Sequence, residues 1–143
     1  MRILVTGSSG WLGQTLVPRL SREGHQVVGM DPVPSRTTQI VGPIDDRELV
    51  RATIRDLGLD AIVHAGARHK PNIETHRPSD FVAVNVQGTL NLLEAAVAPG
   101  SKVCDFAFFG VSPDVNRTGF RPCRPGWGSL MSVELSAGRE GVG

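Results

Sequence analysis

The chain contains no tyrosine, and phenylalanine and tryptophan alone bring its aromatic share to 5%. No phenol is therefore present to move a proton in acid–base chemistry. Charge of one sign is lacking too. Fifteen Lys and Arg stand against fourteen Asp and Glu, and a net charge of +1 creates no field that would recruit nucleic acid or an anionic membrane. Long apolar runs are missing: none approaches the ~20 residues of a bilayer-spanning helix, and the first residues lack the layout of a secretory signal. Cysteine is scarce. Cys104 and Cys123 fit no metal-ligand spacing and read as reduced thiols of a cytoplasmic protein. What remains is 143 residues, 40% hydrophobic and 20% charged, without internal repeats, which fits one soluble domain with a sizeable core.

Glycine, by contrast, is plentiful and placed with purpose. Arg2-Ile-Leu-Val5 is a short apolar run of the kind that forms a parallel strand covered on both faces. Gly7, Gly10 and Gly13 follow three apart, and Trp11, Leu12, Leu16, Val17 and Leu20 continue at helical spacing. Glycines at a strand-to-helix junction let the backbone turn sharply, approach an anion and seat the helix on the sheet. The helix start, with unpaired N–H groups and a positive dipole end, suits a pyrophosphate. The spacing is Gly-x-x-Gly-x-x-Gly, unlike the Gly-x-Gly-x-x-Gly of ordinary dinucleotide dehydrogenases.

The next segments extend this reading. A helix over residues 14–23 stops at Gly24, and His25-Gln-Val-Val-Gly-Met30 reads as a second strand ending at Asp31. Asp31 lies eighteen positions after Gly13, near the roughly 20 expected of an acid that binds the adenosine ribose hydroxyls. Its charge would repel a 2′-phosphate, so the expected cofactor is NAD rather than NADP; Arg36 could reverse that preference by facing the ribose.

Up to about Ala98, strands and helices alternate with short connections. Residues 47–57 are amphipathic, with Leu49, Val50, Ile54 and Leu57 on one side and Asp45 and Asp46 placed as N-caps. Residues 60–64 form another buried strand, and Ala65, Gly66 and Ala67 after it allow close approach of a flat ligand. Residues 81–97 predict one long helix, stopped by Ala98-Pro-Gly100, and residues 101–109 a last strand interrupted by Asp105. This alternation predicts an α/β fold, a doubly wound parallel sheet with its ligand at the carboxyl ends of the strands. Residues 1–112 are expected to form this Rossmann-like domain, incomplete on its C-terminal side. Residues 113–143, rich in Gly, Pro and Arg, are expected to be an irregular, poorly ordered tail.

Three motifs carry a family resemblance. Thr6-Gly-Ser-Ser-Gly-Trp-Leu-Gly13 resembles the TGxxGxxG fingerprint of extended short-chain dehydrogenases/reductases, the NAD-dependent epimerase/dehydratase family. Ile62-Val-His-Ala-Gly-Ala67 resembles that family's segment after strand four, and Asn85-Val-Gln-Gly-Thr-Leu-Asn-Leu-Leu-Glu-Ala-Ala96 its following helix. The resemblance implies pyrophosphate on the amides around Ser9, Gly10, Trp11 and Leu12, Asp31 on the adenosine ribose, and Ala65, Gly66 and Ala67 lining the cofactor. It implies that Asn85 holds the strand-four end. Where the family places an adenine-binding Asp after strand three, this chain has Pro43, with Asp45 as the substitute. A homodimer is typical of the family.

His64, belonging to the second motif, is expected to be buried with a backbone partner. His69, Lys70 and His76 match no ligand set and read as a solvated basic loop, with a substrate contact as the alternative for His69 and Lys70. No metal site is expected. The family moves its proton with a Tyr-x-x-x-Lys pair and a Ser or Thr after strand five. This chain has no tyrosine, and Ser112 matches the serine only loosely. No catalytic residue is therefore assigned. The leading expectation is the NAD-binding part of an epimerase, dehydratase or oxidoreductase for a sugar nucleotide or similar hydroxyl or keto compound. The alternatives are a non-catalytic nucleotide sensor, or a truncated or frame-shifted product. Dropping one base from residues 101–112 gives codons compatible with the family's fifth strand and serine segment.

Overall fold

A computed structural model describes residues 1–69 and 72–103 and the backbone of 105–108. The expectations for Lys70, Cys104, Ser112, Cys123, the tail 113–143 and part of the frame-shift segment lie outside the described residues.

Among the described residues five strands form one parallel sheet: β1 (Arg2–Thr6), β2 (Gln26–Asp31), β3 (Ile40–Val41), β4 (Ala61–His64) and β5 (Asp105–Phe108). Their order is β3-β2-β1-β4-β5, so the chain steps outward from β1 on one side and resumes beside β1 on the other. Ile3 aligns with both Val27 and Ala61, and Thr6 with both Met30 and His64. The carboxyl ends of β1, β2 and β4 therefore lie together where the winding direction reverses, the place where such sheets open a crevice.

Alternation along the strands splits the core into two layers. Ile3 and Val5 of β1, with Ala61 and Val63 of β4, pack beneath Val17 and Leu20 of α1 (Trp11–Arg22). Leu4 and Ile62 point the other way, onto Val50 and Ile54 of α2 (Arg47–Leu57) and Leu92 and Ala95 of α4 (Thr89–Ala96). Helices thus cover both faces, which is why β1 and β4 read as continuous apolar runs. The doubly wound sheet is as expected.

The elements differ from expectation in four places. Helix α1 begins at Trp11, three residues before the expected start, because Gly10 is its extended N-cap. Asp46 alone caps α2, accepting the Leu49 N–H at 3.0 Å. The long helix expected over 81–97 is built of α3 (Pro78–Val82), a wide π-helical turn (Ala83–Gly88) and α4. Such a turn holds an extra residue and shifts the side-chain register at that point. Asp105 opens β5 rather than interrupting it.

Candidate functional site

The glycine turn is locked by backbone contacts. Gly7 has φ +70°, a left-handed conformation that costs a side-chain-bearing residue, and its N–H donates to the Met30 carbonyl at 3.0 Å. A Cβ at Gly7 would lie 2.6 Å from Gly66 N, so the turn rests directly on the segment leaving β4. A Cβ at Gly13 would overlap the Gly7 carbonyl oxygen and lie 2.6 Å from Ser8 Cα; the first turn of α1 is pressed onto the loop.

The N-terminus of α1 has no side-chain cap and no acidic residue in its first turn. The Gly10 N–H is taken by the Gly7 carbonyl at 3.1 Å and the Ser9 N–H by Asp31 Oδ2 at 3.2 Å. The helical amides of Trp11, Leu12 and Gly13 are left as the unpaired donors that every helix start carries. The Trp11 ring stands exposed beside them, while Leu12 is half-buried.

Asp31, at the tip of β2, is 7% exposed. Its Oδ1 accepts the Val33 N–H at 2.9 Å, and with Ser9 on Oδ2 the carboxylate is fixed between the glycine turn and the loop after β2. Each oxygen keeps a lone pair for a further donor. Arg36 is exposed and makes no ion pair among the described residues. Sequence reasoning missed what holds this loop. Thr37 Oγ1 donates to the Ser8 carbonyl at 2.7 Å, and Ser8 Oγ meets Thr38 Oγ1 at 2.8 Å. Both contacts tie loop and glycine turn into one unit.

Ala65, Gly66 and Ala67 form a half-buried wall opposite, joined to β1 by the Ala65 N–H donating to the Thr6 carbonyl at 3.2 Å. Asn85, in the π-helical turn, grips the end of that wall from both sides. Its Oδ1 accepts the Arg68 N–H at 2.8 Å and its Nδ2 donates to the Arg68 carbonyl at 3.0 Å. Arg68 Nε is buried with no hydrogen-bond partner among the described residues.

His64 is buried, as expected, and two threonine hydroxyls meet its ring. Nδ1 lies 2.6 Å from Thr6 Oγ1 and Nε2 3.0 Å from Thr89 Oγ1. Burial pushes its pKa down to about 4, so the ring is neutral near neutral pH. His69 is exposed, and its backbone N–H donates to Asn72 Oδ1 at 2.9 Å; His76 Nδ1 meets Thr75 Oγ1 at 2.8 Å. Among the described residues no three His, Cys, Asp or Glu could share a metal ion. No described helix is long and apolar enough to cross a membrane.

Asp45 is half-buried in the loop after β3. That loop is held by Asn91, whose Nδ2 donates to the Ile44 carbonyl at 3.0 Å while Oδ1 accepts from Gln87 Nε2 at 2.9 Å. Asn91 lies within the third motif, and its polarity in an apolar helix was the available signal.

Comparison with known proteins places this geometry. The model of the NAD dependent epimerase/dehydratase family matches residues 3–113. A UDP-glucose 4-epimerase of Mycolicibacterium smegmatis is 36% identical over 112 residues, spanning 70% of this chain and 36% of the relative. A 3-beta-hydroxysteroid dehydrogenase of Mycolicibacterium neoaurum is 37% identical over 110 residues, spanning 69% of this chain and 29% of the relative. A short-chain dehydrogenase/reductase superfamily protein from Agrobacterium tumefaciens, crystallised with bound NAD, superposes with a TM-score of 0.63 at 35% identity, covering 76% of this chain and 32% of that one. The match thus takes in about a third of each relative's length.

Proposed function

This chain belongs to the NAD dependent epimerase/dehydratase family, and on that premise we propose that residues 1–112 form a domain that binds NAD in preference to NADP. The domain would serve an epimerase, dehydratase or oxidoreductase acting on a sugar nucleotide or a similar hydroxyl or keto compound. The observation that carries this reading is an uncapped helix start, free of acidic residues, beside a carboxylate fixed at the tip of β2.

The residues present fit the cofactor. The cradle at Gly7, Gly10 and Gly13 is space that a side chain would fill. In it the Trp11 and Leu12 amides would hold the pyrophosphate, with Ser9 lining the turn. Asp31 would accept the adenosine ribose hydroxyls, and Asp45 would approach the adenine. Ala65, Gly66 and Ala67 would line the cofactor while Asn85 keeps that wall in place. Bound NAD supplies a hydride acceptor. The chain's own residues bind and orient it, and none is assigned the proton transfer that the family gives to tyrosine.

The absence of tyrosine supports a second reading, a non-catalytic nucleotide sensor. The exposed apolar residues Val82, Val86, Leu90, Leu93 and Val97, recurring along α3, the π-helical turn, α4 and its C-cap, support a homodimer through this face. The paucity of cysteine supports a cytoplasmic location.

Calorimetry with NAD and NADP tests the cofactor assignment. The full chain should bind NAD more tightly, and Asp31→Asn, which removes the charge but keeps a carbonyl oxygen, should narrow the gap. Equal or tighter NADP binding by the unaltered chain would overturn it.

A further inference from the structure

We propose that Thr6, His64 and Thr89 are positioning residues: an ordered chain of side-chain hydrogen bonds through the His64 ring fixes the 65–68 wall for the nicotinamide half of the dinucleotide. The proposal rests on the NAD-binding reading above.

The order follows from counting protons. Thr89 Oγ1 spends its single proton on the Asn85 carbonyl at 2.8 Å, so toward His64 it can only accept. His64 Nε2, 3.0 Å away, therefore carries the ring proton. A neutral ring leaves Nδ1 as an acceptor, so Thr6 Oγ1 donates to it across 2.6 Å. The Thr6 oxygen then receives the Gly66 N–H, at 3.4 Å. One directional chain runs from the Gly66 amide through Thr6, His64 and Thr89 to the Asn85 carbonyl. Asn85 in turn clamps both backbone groups of Arg68. The wall is thereby tethered near its start and at its end by one connected set of bonds. Its anchors are the last residue of β1, the last of β4 and the first of α4.

Position in the sheet gives the chain its selectivity. Asp31, on the β2 side, faces the adenosine half; the β4 side of the crevice takes the other nucleotide. Loosening the wall should therefore weaken NAD while sparing ADP, which lacks the nicotinamide riboside. A general loss of folding would weaken both.

The test is calorimetry of the full chain and of Thr89→Val and Thr89→Ser with NAD and with ADP. Thr89→Val removes the hydroxyl at nearly constant shape and should weaken NAD about tenfold, the worth of one hydrogen bond, with ADP changed less than about twofold. Thr89→Ser should restore NAD binding. Equal weakening of both ligands, or unchanged NAD affinity, would overturn the proposal. Failure of the unaltered chain to bind either ligand would instead overturn the NAD-binding reading. A measurement free of variants is nitrogen NMR of the His64 ring in the unaltered protein. The Nε2–H tautomer is expected, and the Nδ1–H tautomer would overturn the chain of bonds.

Discussion

Lowering the pH should cost this protein stability through His64. The folded-state pKa is about 4, against an ordinary 6.5, because the buried imidazolium would lose its hydration. Between those values the unfolded chain binds a proton that the folded chain refuses. The stability contribution is therefore complete above pH 6.5 and is lost as the pH falls toward 4. The limiting slope is about 1.4 kcal/mol per pH unit, so taking the protein from about pH 7.5 to about pH 5 should cost ~2 kcal/mol through this group. Urea unfolding at a series of pH values reads the slope, and a His64→Gln series separates this residue from the other titrating groups. The unaltered chain should lose about 2 kcal/mol more than the variant across that range. Parallel lines for the two proteins would show that His64 does not carry this pH dependence, as would an NMR titration midpoint for its ring near the ordinary value.

Other consequences follow from the packing. Gly13→Ala places a methyl against the Gly7 carbonyl and Ser8; it should cost about 1–3 kcal/mol of unfolding free energy and abolish NAD binding in calorimetry. Asn91→Ala leaves the buried Ile44 carbonyl without its donor, so chemical denaturation should show a loss of about 1–3 kcal/mol. If the apolar stripe joins two copies, a charge at its centre should shift the chain toward monomer. Leu90→Glu should elute later than the unaltered protein in size-exclusion chromatography, and identical elution would remove the stripe's role.

Much of the fold was legible because its signals are local. Apolar runs ending in glycine or aspartate marked β1, β2 and β4, and the spacing of Leu49, Val50, Ile54 and Leu57 marked α2. The glycine turn was legible for the same reason, since spacing and backbone need coincide at Gly7 and Gly13. The π-helical turn was not: Ala83-Val-Asn-Val-Gln-Gly88 has ordinary helical composition, and the widening shows only in the hydrogen-bond register. Side-chain networks were equally hidden. Thr6 and His64 are 58 residues apart, and Asn91 and Ile44 are 47 apart. Only strand pairing and helix docking create such contacts. The reading of Asn85 as a clamp came from the family resemblance, and its geometry shows the grip on Arg68. The two hydroxyls that meet the His64 ring were hidden in the same way, because Thr6 arrives from β1 and Thr89 from α4.

In the proposed site, the start of α1 receives the pyrophosphate of NAD. Amide chemical shifts of the nitrogen-labelled protein, followed while NAD is added, test it most directly. The largest shifts are expected at Trp11, Leu12 and Gly13, with smaller ones along Ala65, Gly66 and Ala67. No shift at saturating ligand, or shifts confined to surfaces remote from the carboxyl ends of the strands, would contradict it.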